Sequence, residues 1–362
     1  MVAVIVILGF LAGVVGELWI NGFLMPDPYL NFKRYSDLSK KIDDLIVKQQ
    51  DTKKEAQGAD KLLNDTVEKI RPTVVKIYKY KKFTNKQISS LLPDEFLGLG
   101  TIVTNDGWII TNNLVSKNEK DKYFIVTNEN KIFESQENVR DQKTGVVFLK
   151  IAANNLSVID FSLKYDTVNG QQVFLFGAGD DLQLENIDKL NYFDNQDFSS
   201  YLHKSEVFYK YIHLGEALPA SYLGSPVVTL NGKMIGLYSS VDGLVLPVDY
   251  FKGLLKNVGK NEIYIWPYLG INFYDLSEII NPDLSGNKGA LINSIKDINV
   301  DSPAKGILLT QDIILKVENE EVNANKNLVE LLMQYRPDEK INLTVKRGTE
   351  EKVVEVQLGK AK

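Results

Sequence analysis

After Pro72 the chain becomes a succession of short β-type runs cut by Gly, Asn and Asp, and this punctuation restricts the fold more than any other feature. Thr73 to Tyr80, Gly100 to Thr104, Trp108 to Asn112, Tyr123 to Thr127, Val146 to Ile151, Val173 to Gly177, Val227 to Leu230 and Met234 to Tyr238 read as strands. Asn105-Asp106-Gly107 and Asn231-Gly232 are hairpin-turn sequences. Many short strands joined in this way predict a mostly β sandwich or barrel, and spacing alone goes no further.

The length of 362 residues leaves room for two compact domains and an anchor or linker, at roughly 100 to 200 residues per domain. A net charge of -5, with no Lys/Arg block long enough to follow a phosphate backbone, argues against a nucleic-acid partner. The absence of Cys removes disulfides, thiolate zinc sites and a Cys nucleophile together. Only His203 and His213 are left as imidazole ligands or as the usual general base, so neither a metal nor a cofactor is expected.

The N-terminus carries a different signal. Val2 to Met25 is apolar apart from Glu17, Asn21 and a few Gly. A helix of that length reaches about 36 Å, enough to cross a bilayer core of about 30 Å. A transmembrane helix is therefore expected over residues 1–26. A cleaved signal peptide fits less well, because no basic residue precedes the run and no clean small-x-small site follows it. A buried soluble helix fits less well again, because Val2 to Gly16 has no polar face. Lys33, Arg34, Lys40 and Lys41 follow the span, and the positive-inside rule taken alone places the body in the cytoplasm. Leu38, Ile42 and Leu45, then Leu63, Val67 and Ile70, have helical spacing on either side of Gly58. Residues 27–65 thus read as a solvated helical stalk, with a stop at Arg71-Pro72.

Specific residues now carry a resemblance. The runs Thr66 to Ile77 (TVEKIRPTVVKI) and Gly98 to Asn113 (GLGTIVTNDGWIITNN) are similar to the leading helix, first strand and first hairpin of HtrA-type proteases. Phe148 to Ile151, Val173 to Gly177, Pro226 to Leu237 and Gly243 to Val248 continue the match in order. The resemblance implies a chymotrypsin-like double β-barrel over residues 66–258. Where the family reads Thr-Asn-Asn-His-Val, this chain reads Thr111-Asn112-Asn113-Leu114-Val115, so the His position is Leu114. An ungapped match puts Gly145 at the Asp position, with Asp141 four residues earlier. The nucleophile position, in Ser221-Tyr222-Leu223-Gly224-Ser225-Pro226, is Leu223.

Leucine can neither attack a carbonyl nor accept a proton, so the resemblance implies a degenerate member with no catalytic residue at these positions. Leu114 and Leu223 are expected to fill the former cleft. Ser221, Tyr222 and Ser225 replace mostly Gly, which puts the oxyanion hole in doubt. The rival reading is a displaced site, with Ser221 or Ser225 as nucleophile and His213 or His203 as base.

Residues 262–360 resemble the PDZ domain of the same family, through Pro267 to Ile271 (PYLGI), Asp301 to Ala304 (DSPA), Asp312 to Val317 (DIILKV) and Ile341 to Gly348 (INLTVKRG). Two departures touch a turn: one residue is missing between Ala304 and Gly306, and Gln311 stands where the family prefers Gly. The resemblance makes Tyr268-Leu269-Gly270-Ile271 the carboxylate-binding loop, beside which a peptide adds as a strand. It also implies a facing helix near Asn325 to Tyr335, with Leu328, Leu331 or Leu332 lining the groove.

Three functions follow from the resemblance. The first is a membrane-anchored scaffold or regulator that binds protein C-termini or unfolded segments in the cell envelope. The second is an active serine endopeptidase with a displaced site, and the third a structural subunit that pairs with itself or with an intact HtrA-type partner. Anchored members of the family expose both domains outside the cytoplasm, opposite to the positive-inside reading.

Overall fold

The computed structural model describes residues 12–17, 19, 60–82, 90–163, 166–179, 181–193, 198–258, 264–279 and 288–361. The chain divides into two compact units, Met1–Asp65 and Thr66–Lys362. In the first, residues 12–17 and 19 are helical, and the remainder of the expected anchor and most of the stalk lie outside the described residues. No helix among the described residues is long and apolar enough to cross a membrane. The helix at 60–70 ends where Pro72 predicts, passing into a 3-10 turn at Arg71–Thr73.

The second unit begins with a closed barrel. Its strands are β1 (Val74–Lys79), β2 (Phe96–Ile102), β3 (Trp108–Asn112), β4 (Tyr123–Val126), β5 (Ile132–Arg140) and β6 (Val146–Ile151), in the order β1-β2-β3-β6-β5-β4. β1 pairs with β4 to close the ring. β6 is buried along nearly its whole length and reads as an almost continuous apolar run, while β3 is buried throughout with Thr111 and Asn112 at its end bonded to the Leu99 and Tyr238 carbonyls. β5 was not legible in the same way, because Ser135 is its only fully buried residue. The strand is held by ladder hydrogen bonds to β4 and β6 rather than by apolar side chains.

A short β7 (Asp160–Phe161) leads to a second barrel of β8 (Gln172–Phe176), β9 (Leu182–Tyr192), β11 (Tyr211–Leu214), β12 (Pro226–Thr229), β13 (Lys233–Tyr238) and β14 (Leu244–Pro247). The order β12-β8-β9-β11-β14-β13, with β12 also paired to β13, closes it. The double β-barrel implied by the resemblance is therefore present. One apolar cluster runs through both barrels, from Val75, Ile109 and Leu149 to Val173, Val227 and Ile235.

The PDZ-like part is a sheet of β16 (Asn272–Asp275), β17 (Ala290–Leu291), β18 (Ile313–Val317), β20 (Lys340–Arg347) and β21 (Glu350–Gln357), with β19 (Glu320–Glu321) on β18. β15 (Pro267–Tyr268) pairs with β22 (Gly359–Lys360) and ties the two ends of this part together. The facing helix is shorter than expected, Leu328–Leu332, and is started by Asn327, whose side chain accepts from the Glu330 amide at 3.0 Å. Gln311 takes the left-handed conformation (φ +68) that explains the family's glycine there. Its side chain bonds to the Asn293 carbonyl at 3.1 Å. The sheet extends by one more strand, β10 (Leu202–Lys204), which comes from the connection between β9 and β11 and pairs with β16.

Candidate functional site

The loops after β3, before β6 and before β12 converge where the barrels meet. Asn112 at the end of β3 organises the first of them. Its Oδ1 accepts from the amides of Leu114 and Val115, both at 3.0 Å, while its Nδ2 donates to the Tyr238 carbonyl at 3.0 Å. This turn sends Val115 inward, 1% exposed, and Leu114 outward, 47% exposed. The expectation that Leu114 fills a cleft is thus corrected, because the Asn112 turn fixes which neighbour faces the core. Leu223 does face inward, at 8% exposure within the shared core.

Gly145 accepts from the Asn113 amide at 2.8 Å and has φ +70. A Cβ at this position would come within 3.0 Å of the Asn113 side chain. The backbone therefore suits glycine and disfavours any carboxylate-bearing residue there. Asp141 does not take over the role. Its Oδ2 accepts from the Thr144 amide and hydroxyl at 2.8 and 2.6 Å, and its Oδ1 from Trp266 Nε1 at 2.7 Å.

The loop before β12 is a 3-10 turn over Ala220–Tyr222. The amides of Tyr222, Leu223 and Ser225 donate to the carbonyls of Pro219, Ala220 and Tyr222 at 3.0, 3.1 and 3.0 Å, and that of Gly224 donates to Tyr238 at 3.0 Å. An oxyanion hole needs such N–H groups aimed at a vacant position, and here all four are engaged. Gly224 is obligatory: at φ +78 its Cβ would lie 2.0 Å from the Leu99 carbonyl oxygen.

The serines and histidines of the displaced-site reading are not brought together. Ser225 is fully buried, and its hydroxyl accepts from the Phe176 amide at 3.0 Å and faces the Pro226 carbonyl at 3.3 Å. Ser221 sits half-buried on the 3-10 turn. His213 bonds to Asp188 at 3.1 Å and stacks on Tyr192, with ring centroids 4.6 Å apart. His203 is buried, bonded to Glu278 at 2.9 Å and stacked on Tyr209 at 3.7 Å. Among the described residues, neither ring has a serine hydroxyl as its hydrogen-bond partner.

In the PDZ-like part, Gly270 has φ +74, which lets the loop turn tightly ahead of β16. Tyr268 braces the loop by donating to Asp301 at 2.7 Å and accepting from Asn299 at 3.1 Å. Leu269 and Ile271 are buried, as are Leu328, Leu331 and Leu332. The loop amides meet residues that sequence reasoning missed. Gly270 N donates to Glu206 Oε1 at 2.7 Å, Ile271 N to Ser205 Oγ at 3.0 Å, and Ser205 N to the Ile271 carbonyl at 2.9 Å. Lys143 Nζ donates to the Glu206 carbonyl at 3.0 Å. Burial lowers the Lys143 ammonium below its usual range, with Glu206 and Asp141 opposing that shift.

Beneath this contact lies a buried charge cluster. Lys210 pairs with Asp275 at 2.8 Å and Glu278 at 3.1 Å, and Tyr209 donates to Asp275 at 2.8 Å. Burial opposes charge on both Lys210 and Asp275, but their mutual attraction wins: the Lys210 pKa is raised and the Asp275 pKa lowered. No sequence pattern marked these partners, which lie 65 residues apart.

Comparison with known proteins agrees with this architecture. Residues 98–237 match the trypsin-like peptidase domain family and residues 267–358 the PDZ domain family. The chain is 24% identical over 295 residues to the serine endoprotease DegS of Haemophilus influenzae, covering 76% of this chain and 81% of that protein. It is also 24% identical over 275 residues to a DegP-like periplasmic serine endoprotease of Halomonas elongata, of whose length it spans 56%. Among solved structures, the HtrA-type protease AlgW with a tripeptide shares the fold at a TM-score of 0.62 and 18% identity, covering 83% of this chain and 97% of that one.

Proposed function

Since the chain joins a trypsin-like peptidase domain to a PDZ domain in the manner of the HtrA family, we propose that it is a non-catalytic, peptide-binding scaffold or regulator of that type. The supporting observation is the loop before β12, where the amides of residues 222–225 all bond to backbone carbonyls and Leu223 stands at the position that the resemblance assigns to the nucleophile. A site with neither an attacking group nor a free oxyanion donor binds chain segments without cutting them. The functional surface is then the loop Tyr268–Ile271 and the edge of β16, which together can take an extended peptide and its terminal carboxylate.

That loop contains no Lys or Arg, so a carboxylate depends on backbone N–H groups and affinity should be modest. Full-length protein in detergent, titrated with matched free-acid and amidated peptides ending in Val, is expected to bind the free acid with a Kd on the order of 1 μM or weaker, about -8 kcal/mol at 1 μM. The amide is expected to lose most of that binding. Equal affinity for the two forms would overturn the C-terminal reading.

Anchoring through residues 1–26, with the body outside the cytoplasm, belongs to the same proposal. It follows the periplasmic relative rather than the basic residues after the apolar run. Protease added to intact, outer-membrane-permeabilised cells should cleave the stalk, and protection of residues 33–82 would reverse the orientation.

A further inference from the structure

We infer that the resident ligand of the PDZ groove is the chain's own segment Leu202–Glu206, and that a partner's C-terminus binds by displacing it. The inference deepens the peptide-binding reading above and rests on it for the identity of the competitor.

Three observations define the segment as a ligand. The first is its pairing: Leu202, His203 and Lys204 lie antiparallel to β16, opposite Tyr274, Phe273 and Asn272. The other side of β16 is taken by β17, so the segment occupies the one edge at which a peptide could add as a strand. The second is its direction. It runs toward the loop, and the ladder continues through Ser205 to Ile271. The third is its end. Glu206 places a side-chain carboxylate on the Gly270 amide at 2.7 Å, where a terminal carboxylate would be received.

The backbone escapes because the Val207 amide turns back onto the Lys204 carbonyl at 3.2 Å, which leaves the Glu206 side chain pointing into the loop. Flanking contacts hold the segment in place. His203 reaches Glu278, and Lys143 reaches the Glu206 carbonyl. A tethered ligand competes at an effective concentration on the order of millimolar, and an external peptide sees its Kd divided by the fraction of open groove. The competitor that fits is a chain end with a free carboxylate after an extended segment, since it supplies the same ladder and the same anion and needs no turn to lead the backbone away.

The chain contains no cysteine, which makes a reversible clamp specific. Lys204 and Asn272 are directly opposed, at a separation that suits a disulfide. Full-length Lys204→Cys/Asn272→Cys should cross-link readily under mild oxidation, and a Val-ended free-acid peptide should slow that reaction. The oxidised protein should lose peptide binding at least tenfold, and reduction should restore it. Separately, Glu206→Gln should bind the free-acid peptide about tenfold more tightly than wild type, because the internal anion is gone.

Failure of the pair to cross-link would sink the inference, as would wild type, Glu206→Gln and oxidised clamp all binding the peptide equally. Ready cross-linking with no peptide bound in any arm, reduced protein included, would leave the segment as the groove's occupant and instead overturn the C-terminal reading.

Discussion

Purified full-length protein is expected to leave a serine-directed fluorophosphonate probe unreacted and to cleave no unfolded substrate at neutral pH. The stronger expectation concerns repair. Leu114→His together with Leu223→Ser would put a base and a nucleophile at the positions the resemblance assigns to them, yet the rate should remain at least a thousandfold below that of an active enzyme of this type. Gly145 offers the base no carboxylate, and a wrongly held base costs about 10⁴-fold. The amides of residues 222–225 would also have to leave their carbonyl partners, and one missing oxyanion donor costs about 10²- to 10³-fold. A large gain from the double substitution would mean that Asp141 can release Thr144 and Trp266 to orient the new histidine. Wild-type activity abolished by Ser221→Ala or Ser225→Ala would instead establish a displaced site.

The second large effect is on stability. Asp275→Ala should lower the free energy of unfolding by about 3 to 5 kcal/mol, because it strands the Lys210 charge with Glu278 alone in a nearly water-free position. Lys210 and Asp275 side chains are 2% and 1% exposed, so bulk screening does little to relieve the loss. The pH dependence has a definite sign. Asp275 titrates below its unfolded value in the folded protein, so its contribution is present above about pH 4 and is lost as pH falls through the lower folded value. Lys210 titrates above its unfolded value, so its share is complete below about pH 10.5 and is lost as pH rises beyond that. Urea midpoints measured from pH 3 to 8 should show an acid limb that flattens in Asp275→Ala. A variant within about 0.5 kcal/mol of wild type at pH 7 would mean that the cluster is solvated.

How far the sequence foretold this molecule depends on where each residue's partner lies. β1, β3, β6, β8, β12 and β13 were legible because their apolar side chains supply a local pattern that burial then enforces. β9 was not: in LQLENIDKLNY only Glu185 and Ile187 are fully buried, and the ladder to β8 and β11 sets the conformation. The positions Leu114, Gly145 and Leu223 came from family resemblance, since no local physics marks a leucine as standing at the position where relatives of this type carry a histidine. Their surroundings were still beyond reach. That Leu114 points outward depends on the Asn112 side chain, and that Leu223 cannot offer its amide depends on a one-turn 3-10 helix whose Ala220 carbonyl takes it. Glu206 was missed for a related reason: an acidic residue after a short polar strand looks solvated until the strand it pairs with, some 70 residues on, is known.

The borrowed strand β10 also changes what counts as a domain here. By sequence the last 100 or so residues form a self-contained module, but the sheet they build is completed by residues that belong to the second barrel's connection. A fragment beginning after residue 258 would leave the backbone donors and acceptors of Asn272–Asp275 bare along one side, and an uncovered sheet edge invites pairing between molecules. The folded unit therefore runs backward across the apparent boundary to Leu202, because the terminal sheet keeps this edge covered only while β10, or a peptide in its place, is paired with β16.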